Sequence, residues 1–223
     1  ARVLGDNEDS VETVEDTERP WPPIFEDLFT DGGWSSVRDH IKAGADVNET
    51  INLHGVEGLS ILTICAEQGD VETMKLLVEA GADINARQKN IELASGYNSP
   101  LVASLKGGNM GHFDYLIECG ADVDPFQDKE SGWTPLVQAA HHVNNAAIKT
   151  LLERGADVNI ANADSANAFK TVCHHTTAAA RKCMRTLIKA GADTSRADNE
   201  GYAGIHNVAA SQSSGNFLTL KLL

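Results

Sequence analysis

The densest cluster of chemistry-bearing side chains in the sequence is the stretch "VCHHTT", with Cys173, His174 and His175 in succession and Cys183 ten residues on. Thiolate and imidazole are zinc ligands, so a metal centre is the first reading to weigh. The spacing argues against it. Three consecutive residues on a helix point about 100° apart and cannot all face one ion. The four cysteines, Cys65, Cys119, Cys173 and Cys183, form no C-x-x-C pair, so neither a zinc framework nor a redox dithiol is expected. His141 and His142 are adjacent and fail as co-ligands for the same angular reason.

Other candidates for chemistry also reduce to plainer roles. "KGGNMG", Lys106 to Gly111, resembles a phosphate loop only faintly; it lacks the Walker spacing and follows no strand. There is no nucleophile elbow and no H-E-x-x-H. The carboxylate pairs Glu26 with Asp27, and Asp128 with Glu130, read as solvated charge rather than acid–base dyads. No catalytic residue, metal or cofactor is expected.

The elements that carry these residues announce themselves by repetition. "GADVN" or a close copy follows an apolar helical run at Gly44, Gly81, Gly120, Gly155 and Gly191, at intervals of 37, 39, 35 and 36 residues. A period of that size is the signature of a solenoid. Glycine after such a run ends a helix, because the left-handed conformation costs it nothing. The Asp and Asn that follow bond their own backbone and hold a tight turn. Twenty-three residues upstream of Gly81 and Gly155 stand Gly58 and Gly132, opening "GLSILTICA" and "GWTPLVQAA"; "YNSPLVASL" after Tyr97 is similar. Ser or Thr before Pro is a helix N-cap with proline at the first helical position. Each unit therefore reads as a turn, a short helix, a tight loop marked by Gly69 or Gly108, and a second helix ending at the glycine.

Thr134-Pro135-Leu136 with Ala139-Ala140, Ser99-Pro100-Leu101, the Gly-Ala-Asp phrases, Gly69-Asp70-Val71 leading into Lys75-Leu76-Leu77, and Gly201 with Ile205-His206 give the chain its resemblance to the ankyrin-repeat family. The likeness runs from about Trp21 to Leu223. It implies an all-α solenoid of helix-turn-helix units with β-turn or finger loops, in about six units: 21–48, 57–85, 96–124, 131–159, 164–195 and 200–223. The first unit, with two amphipathic segments around Gly32-Gly33, departs from the pattern and reads as a cap, with Trp21 and Trp34 in its core. In the fifth, Phe169 in the leucine place leaves three extra residues between the helices, near "TTAAA"; the sixth fits if "SQSS" carries a similar extension. Leu223 then falls inside a helix and the chain starts at Ala1, so more protein, or a partner, is expected to cover the end. Residues Glu49 to Gly58, Ala86 to Ser99 and Pro125 to Gly132 exceed a minimal connection and should project as fingers. Cys65 occupies a small core position of the family, and the family implies reduced cysteines.

Charge narrows the partners. The formal net charge is −14, and no run of basic residues offers a phosphate backbone its counterions, so nucleic acid is excluded as a ligand. Residues 1–20 hold seven acids and two arginines. Alone this tail is expected to stay disordered; a basic partner surface, or the solenoid, would order it. No apolar run approaches the ~20 residues of a membrane helix, and the default compartment is cytoplasm or nucleus.

The resemblance also implies where binding occurs: turn tips and the solvent side of each first helix. Carried onto this sequence, the tips are Leu59, Asn98, Trp133 and Tyr202, and the ends of the first helices give Glu67, Gln68, Lys106, His141 and His142. Trp133 and Tyr202 are the strongest candidates, since aromatics dominate interface hot spots. The expected function is a non-catalytic protein-interaction module, a scaffold, adaptor or subunit, monomeric or within a hetero-complex, meeting a basic or mixed-charge protein. The alternative is a regulatory domain of a longer enzyme or channel extending beyond Leu223.

Overall fold

In a computed structural model of the chain, residues 21–29, 33–53, 56–90, 97–125, 133–161, 165–197, 201–204 and 206 are described. Among the described residues, ten α-helices alternate between two rows. The inner row holds α1 (Pro23–Glu26, continued by a 3-10 turn at Asp27–Phe29), α3 (Ile61–Gln68), α5 (Pro100–Lys106), α7 (Pro135–His141) and α9 (Ala168–Val172). The outer row holds α2 (Gly33–Lys42), α4 (Val71–Glu79), α6 (Met110–Glu118), α8 (Asn145–Glu153) and α10 (Ala178–Lys189). Each inner helix packs on its outer partner, and α3 packs on α5, α5 on α7 and α7 on α9 along the inner row.

The caps foretold by the sequence are in place. Ser60, Ser99 and Thr134 begin α3, α5 and α7 with extended backbone, and their hydroxyls accept from the amides of Thr63, Val102 and Val137. Asn167 begins α9, for which the sequence offered no evident start, accepting from the Lys170 amide. All five turn glycines sit in the left-handed region, with φ between 86° and 92°. At each, the amide after the glycine donates five residues back, as Ala82 does to the Leu77 carbonyl at 3.0 Å and Ala156 to Leu151 at 3.0 Å. That geometry satisfies the carbonyls a helix end leaves open.

The core is a ribbon in which the same helix positions recur from unit to unit. Leu62, Leu101, Leu136 and Phe169 succeed one another along the inner row, and Leu77, Leu116, Leu151 and Leu187 along the outer row; all are buried. Small side chains let the inner helices approach: a Cβ on Gly107, at the end of α5, would stand 2.0 Å from the carbonyl oxygen of Glu67 at the end of α3. Within Lys106 to Gly111, Gly107 to Asn109 form the inter-helix loop held against its neighbour, with Asn109 Nδ2 donating to the same Glu67 carbonyl at 2.7 Å. Trp21 and Trp34 are half-buried against the core at its amino end.

Two features differ from, or go beyond, the sequence expectation. In the fifth unit the connection between the helices does lengthen, to 173–177 where the fourth unit has 142–144, because α9 stops two residues sooner than α7. Beyond that expectation, α10 grows to 12 residues where α8 has 9, with Thr177 as its cap. The fingers at 50–60 and 88–98 also do not stand apart. β1 (Thr50–Leu53) and β2 (Val56–Ser60) form one antiparallel hairpin and β3 (Gln88–Asn90) and β4 (Tyr97–Asn98) another, and β2 pairs with β3 through Val56↔Asn90 and Glu57↔Lys89 to make a four-stranded sheet. A two-stranded hairpin alone is marginal in water, and joining two offsets that weakness. The third finger falls largely outside the described residues, as do the tail 1–20, Asp128, Glu130, Ile205 and the second helix expected near "GNFLTLKLL".

Successive units are tied by polar links. Asp70 accepts from the Thr73 amide at 2.8 Å and caps α4, while Arg38 of α2 donates to Asp70 at 2.9 Å and to the Thr73 hydroxyl at 3.0 Å. Desolvation opposes ionisation of Asp70, but the Thr73 bonds and Arg38 outweigh it and hold the carboxyl below its ordinary value. Asp70→Ala removes cap and link together and should cost about 1 kcal/mol in a urea melt. The depressed group's contribution is present above the unfolded carboxylate value of about 3.9 and is lost as pH falls through the folded value, so this difference should shrink in acid.

Candidate protein-docking face

The residues singled out by sequence lie along the turns and the ends of the inner helices, and the structure divides them into three kinds. Leu59, on β2, is half-buried and packs on the core. Asn98 lies on β4, its side chain outside the described set. Glu67 and Lys106 face each other from adjacent units at 3.2 Å, with Gln68 exposed beside them. Tyr202 is 54% exposed, its ring 6.0 Å from that of His206. Trp133 is half-buried and lies edge-on to His141, with ring centroids 4.6 Å apart. It both packs on its own unit and presents an edge to solvent.

His141 and His142 close α7 and are exposed. Gln138 Nε2 lies 2.9 Å from His142 Nε2, and the rings of His141 and His142 are 5.3 Å apart. His175, from the next unit, comes within 6.1 Å of His141. Burial, then the neighbouring His142, His175 and His174, push the His141 imidazole below its ordinary value. The sequence reading treated His174 and His175 only as failed metal ligands. Their place on this face follows from stacking, which sets residues about 34 positions apart side by side; that interval was the signal available.

The thiols are not part of this face. Cys65, Cys173 and Cys183 are buried; burial pushes Cys65 and Cys173 up to about 12, and Cys183 to about 11. A thiol so raised is a poor nucleophile. Among the described residues, no three His, Cys, Asp or Glu side chains converge as metal ligands. Cys173 is buried and His174 exposed, but the expectation of a helix through these residues does not hold: α9 ends at Val172, Cys173 is its C-cap, and His174 and His175 lie in the connection beyond it. No helix of the described residues is long and apolar enough to cross a membrane.

Stacked two-helix units with hairpin turns define a repeat solenoid, a class of protein that presents a long surface rather than a pocket. Residues 62–162 match the family described as Ankyrin repeats (3 copies). A crystal structure of an ankyrin repeat protein superposes with a TM-score of 0.71, covering 92% of this chain and 97% of that one at 21% identity, which establishes the fold. Residues 62–162 are thus similar to ankyrin repeats, and the described chain has the ankyrin-repeat fold. It is 34% identical over 141 residues to Ankyrin repeat protein nuc-2 of Neurospora crassa, covering 61% of this chain and 12% of that protein. It is 28% identical over 168 residues to Palmitoyltransferase AKR1 of Lachancea kluyveri, covering 73% of this chain and 21% of the relative. The chain thus spans only a small part of the curated relatives it matches. Ankyrin repeats are in general non-catalytic and bind other proteins.

Proposed function

We propose that the chain is a protein-docking module, a scaffold, adaptor or subunit of a larger assembly, which grips its partner with the turn tips and inner-helix ends from Leu59 to Tyr202. The observation that carries this reading is the pair of aromatics at the tips of the fourth and sixth units: Tyr202 open to solvent and Trp133 half-open beside two exposed imidazoles. Large, rigid rings with one free side are what interface hot spots use. Six units over 21–223 would supply the face, with the acidic tail 1–20 a separate segment. The partner is a protein of basic or mixed charge, since carboxylates dominate a chain of net charge −14; the module is monomeric or held in a hetero-complex.

A pull-down from cell extract with mass spectrometry, run side by side on the native chain and on a Trp133→Ala, Tyr202→Ala double variant, tests the reading. Proteins captured by the native chain should be lost from the variant while its helical circular dichroism is unchanged. An identical set of captured proteins would end the assignment of the face.

The second reading, a regulatory segment of a longer enzyme, is favoured by one observation: the similarity to Palmitoyltransferase AKR1 extends over 73% of this chain and occupies 21% of that protein. A transcript that continues past Leu223 into a catalytic domain would decide for it.

A further inference from the structure

Among the outer helices, α10 stands apart in charge. Side chains three or four positions apart on a helix are neighbours. At those spacings α4 alternates Glu72, Lys75 and Glu79, α8 pairs Lys149 with Glu153, and α2 brings Lys42 within 4.0 Å of Asp39. α10 sets Arg181, Lys182, Arg185 and Lys189 at the same spacings and holds no carboxylate. Lys182, Arg185 and Lys189 are exposed. At about 100° per residue they fall within about 60° of one another, on one solvent face, with Arg181 at its flank.

Like charges so placed destabilise a helix. A face that merely met water would be better served by mixed signs, as on α4 and α8. The stripe therefore points to a ligand of opposite charge. α8, which packs on α10, carries Lys149 and Glu153 at the places that Arg185 and Lys189 take one unit on, and α9 adds Lys170. Asp193, Asp198 and Glu200 follow at the Lys189 end, and residues 201–223 contain no carboxylate.

The chain itself holds a segment of matching chemistry. Residues 6–12 read DNEDSVE, with Asp6, Glu8, Asp9 and Glu12 and no cation. Drawn out, the chain from Asp6 to Asp9 spans about 10 Å. The helix from Lys182 to Lys189 rises by about 10 Å as well. The link from Asp6 or Asp9 to Trp21 can span about 40–50 Å. From α2 to α10 is four units, about 32–40 Å at the usual separation of packed helices.

We propose that residues 6–12 dock on the outer face of α10 within the same molecule, their carboxylates against Lys182, Arg185 and Lys189. The contact lies on the outer row, away from the turn tips and inner-helix ends, and is independent of the docking face proposed above.

The test is fluorescence anisotropy of a fluorescein-labelled peptide of residues 1–20 titrated with the full chain at low ionic strength, where exposed charges are least screened. A segment docked in the same molecule competes with the peptide at the high effective concentration of a tethered ligand. A chain with Asp6→Asn, Glu8→Gln, Asp9→Asn and Glu12→Gln should therefore bind the peptide at least about tenfold more tightly than the native chain. Adding Lys182→Gln, Arg185→Gln and Lys189→Gln, at exposed positions where glutamine keeps the helix, should reverse that gain. Carbodiimide, which joins carboxylates to lysine amines, needs no substitution: in the native chain it should link residues 6–12 to Lys182 or Lys189 within a single molecule. Equal affinity of the native and tail-substituted chains for the peptide, binding that survives the α10 substitutions, or links that form only between two copies would each overturn the proposal.

Discussion

Phe169→Ala should destabilise the chain by about 3–5 kcal/mol, the range for emptying a buried aromatic site. The side chain is fully buried, on the inner row where Leu62, Leu101 and Leu136 precede it. Its ring also reaches forward, with Cε1 3.3 Å from where a Cβ on Gly204 would stand. The substitution therefore weakens two inter-unit steps together. In a solenoid, stability is a sum of unit and nearest-neighbour contributions, so the loss should split the unfolding curve rather than shift it whole. Urea unfolding followed by circular dichroism should show an early transition from the carboxyl-terminal units. Fluorescence of Trp21, Trp34 and Trp133, all upstream of the lesion, should lag behind it. Phe169→Leu, which keeps most of the volume, should cost under about 1.5 kcal/mol. A single coincident transition for the alanine variant would contradict the unit-by-unit account.

The second expected result has the opposite sign: Asp124→Asn should stabilise. Between adjacent turns runs a series of side-chain bridges. Asn48 accepts from the Asp83 amide at 2.8 Å and donates to the Gly81 carbonyl at 3.0 Å; Asn159 does the same to Asp193 at 2.7 Å and Gly191 at 3.2 Å. Asn85 accepts from the Asp122 amide at 2.9 Å. At the next step the side chain is Asp124. One oxygen accepts from the Asp157 amide at 2.7 Å, but the other, Oδ1, is buried and finds no hydrogen-bond partner among the described residues. Where an asparagine offers an N–H, the ionised carboxylate offers only a second acceptor. Burial raises the Asp124 carboxyl; the Asp157 amide bond works against this, and the charges of Asp157 and Asp122 add to it.

Replacing that oxygen with an amide nitrogen should recover about 1–3 kcal/mol, the penalty for a buried group left unsatisfied. The sign of the pH dependence follows from the raised value. Asp124 favours folding fully below the unfolded carboxylate value of about 3.9, and this favour is lost as pH rises through the folded value. The gap between variant and native chain should therefore be widest near neutrality and close toward pH 4. Thermal melts at a series of pH values would show it; a gap that ignores pH would mean that the unpaired oxygen is not the cause.

The fold was legible because its signals are local. Glycine after an apolar run, Asp and Asn in the next turn, and Ser or Thr ahead of Pro each constrain backbone within a few residues. The parts that stayed hidden join residues one period apart. The pairing of β2 with β3, the bridges from Asn48 to Asp83 and from Asn159 to Asp193, and the approach of His175 to His141 all cross from one unit to the next. Sequence could have hinted at the bridges, since Asn48, Asn85, Asp124 and Asn159 occupy one position of the repeat. It could not show that the side chain reaches forward rather than caps its own turn. Asn167, an N-cap without a following proline, looks in sequence like any loop residue. In the fifth unit the longer connection is legible from the added residues, while the lengthening of α10 rests on alanines 178–180, strong helix formers.

The bridges between turns join one main chain to the next through a single side chain, and at Asn48 and Asn159 both ends are the same: an amide and a glycine carbonyl belonging to the motif itself. Such a seam is indifferent to which copies it unites. Copies could be duplicated, deleted or shuffled as whole cassettes and still fasten to whatever lies beside them, whereas a cut anywhere within a cassette would leave one half of a fastener bare. The seam at Asp124 is the exception, a joint that closes poorly and marks where this assembly would first part.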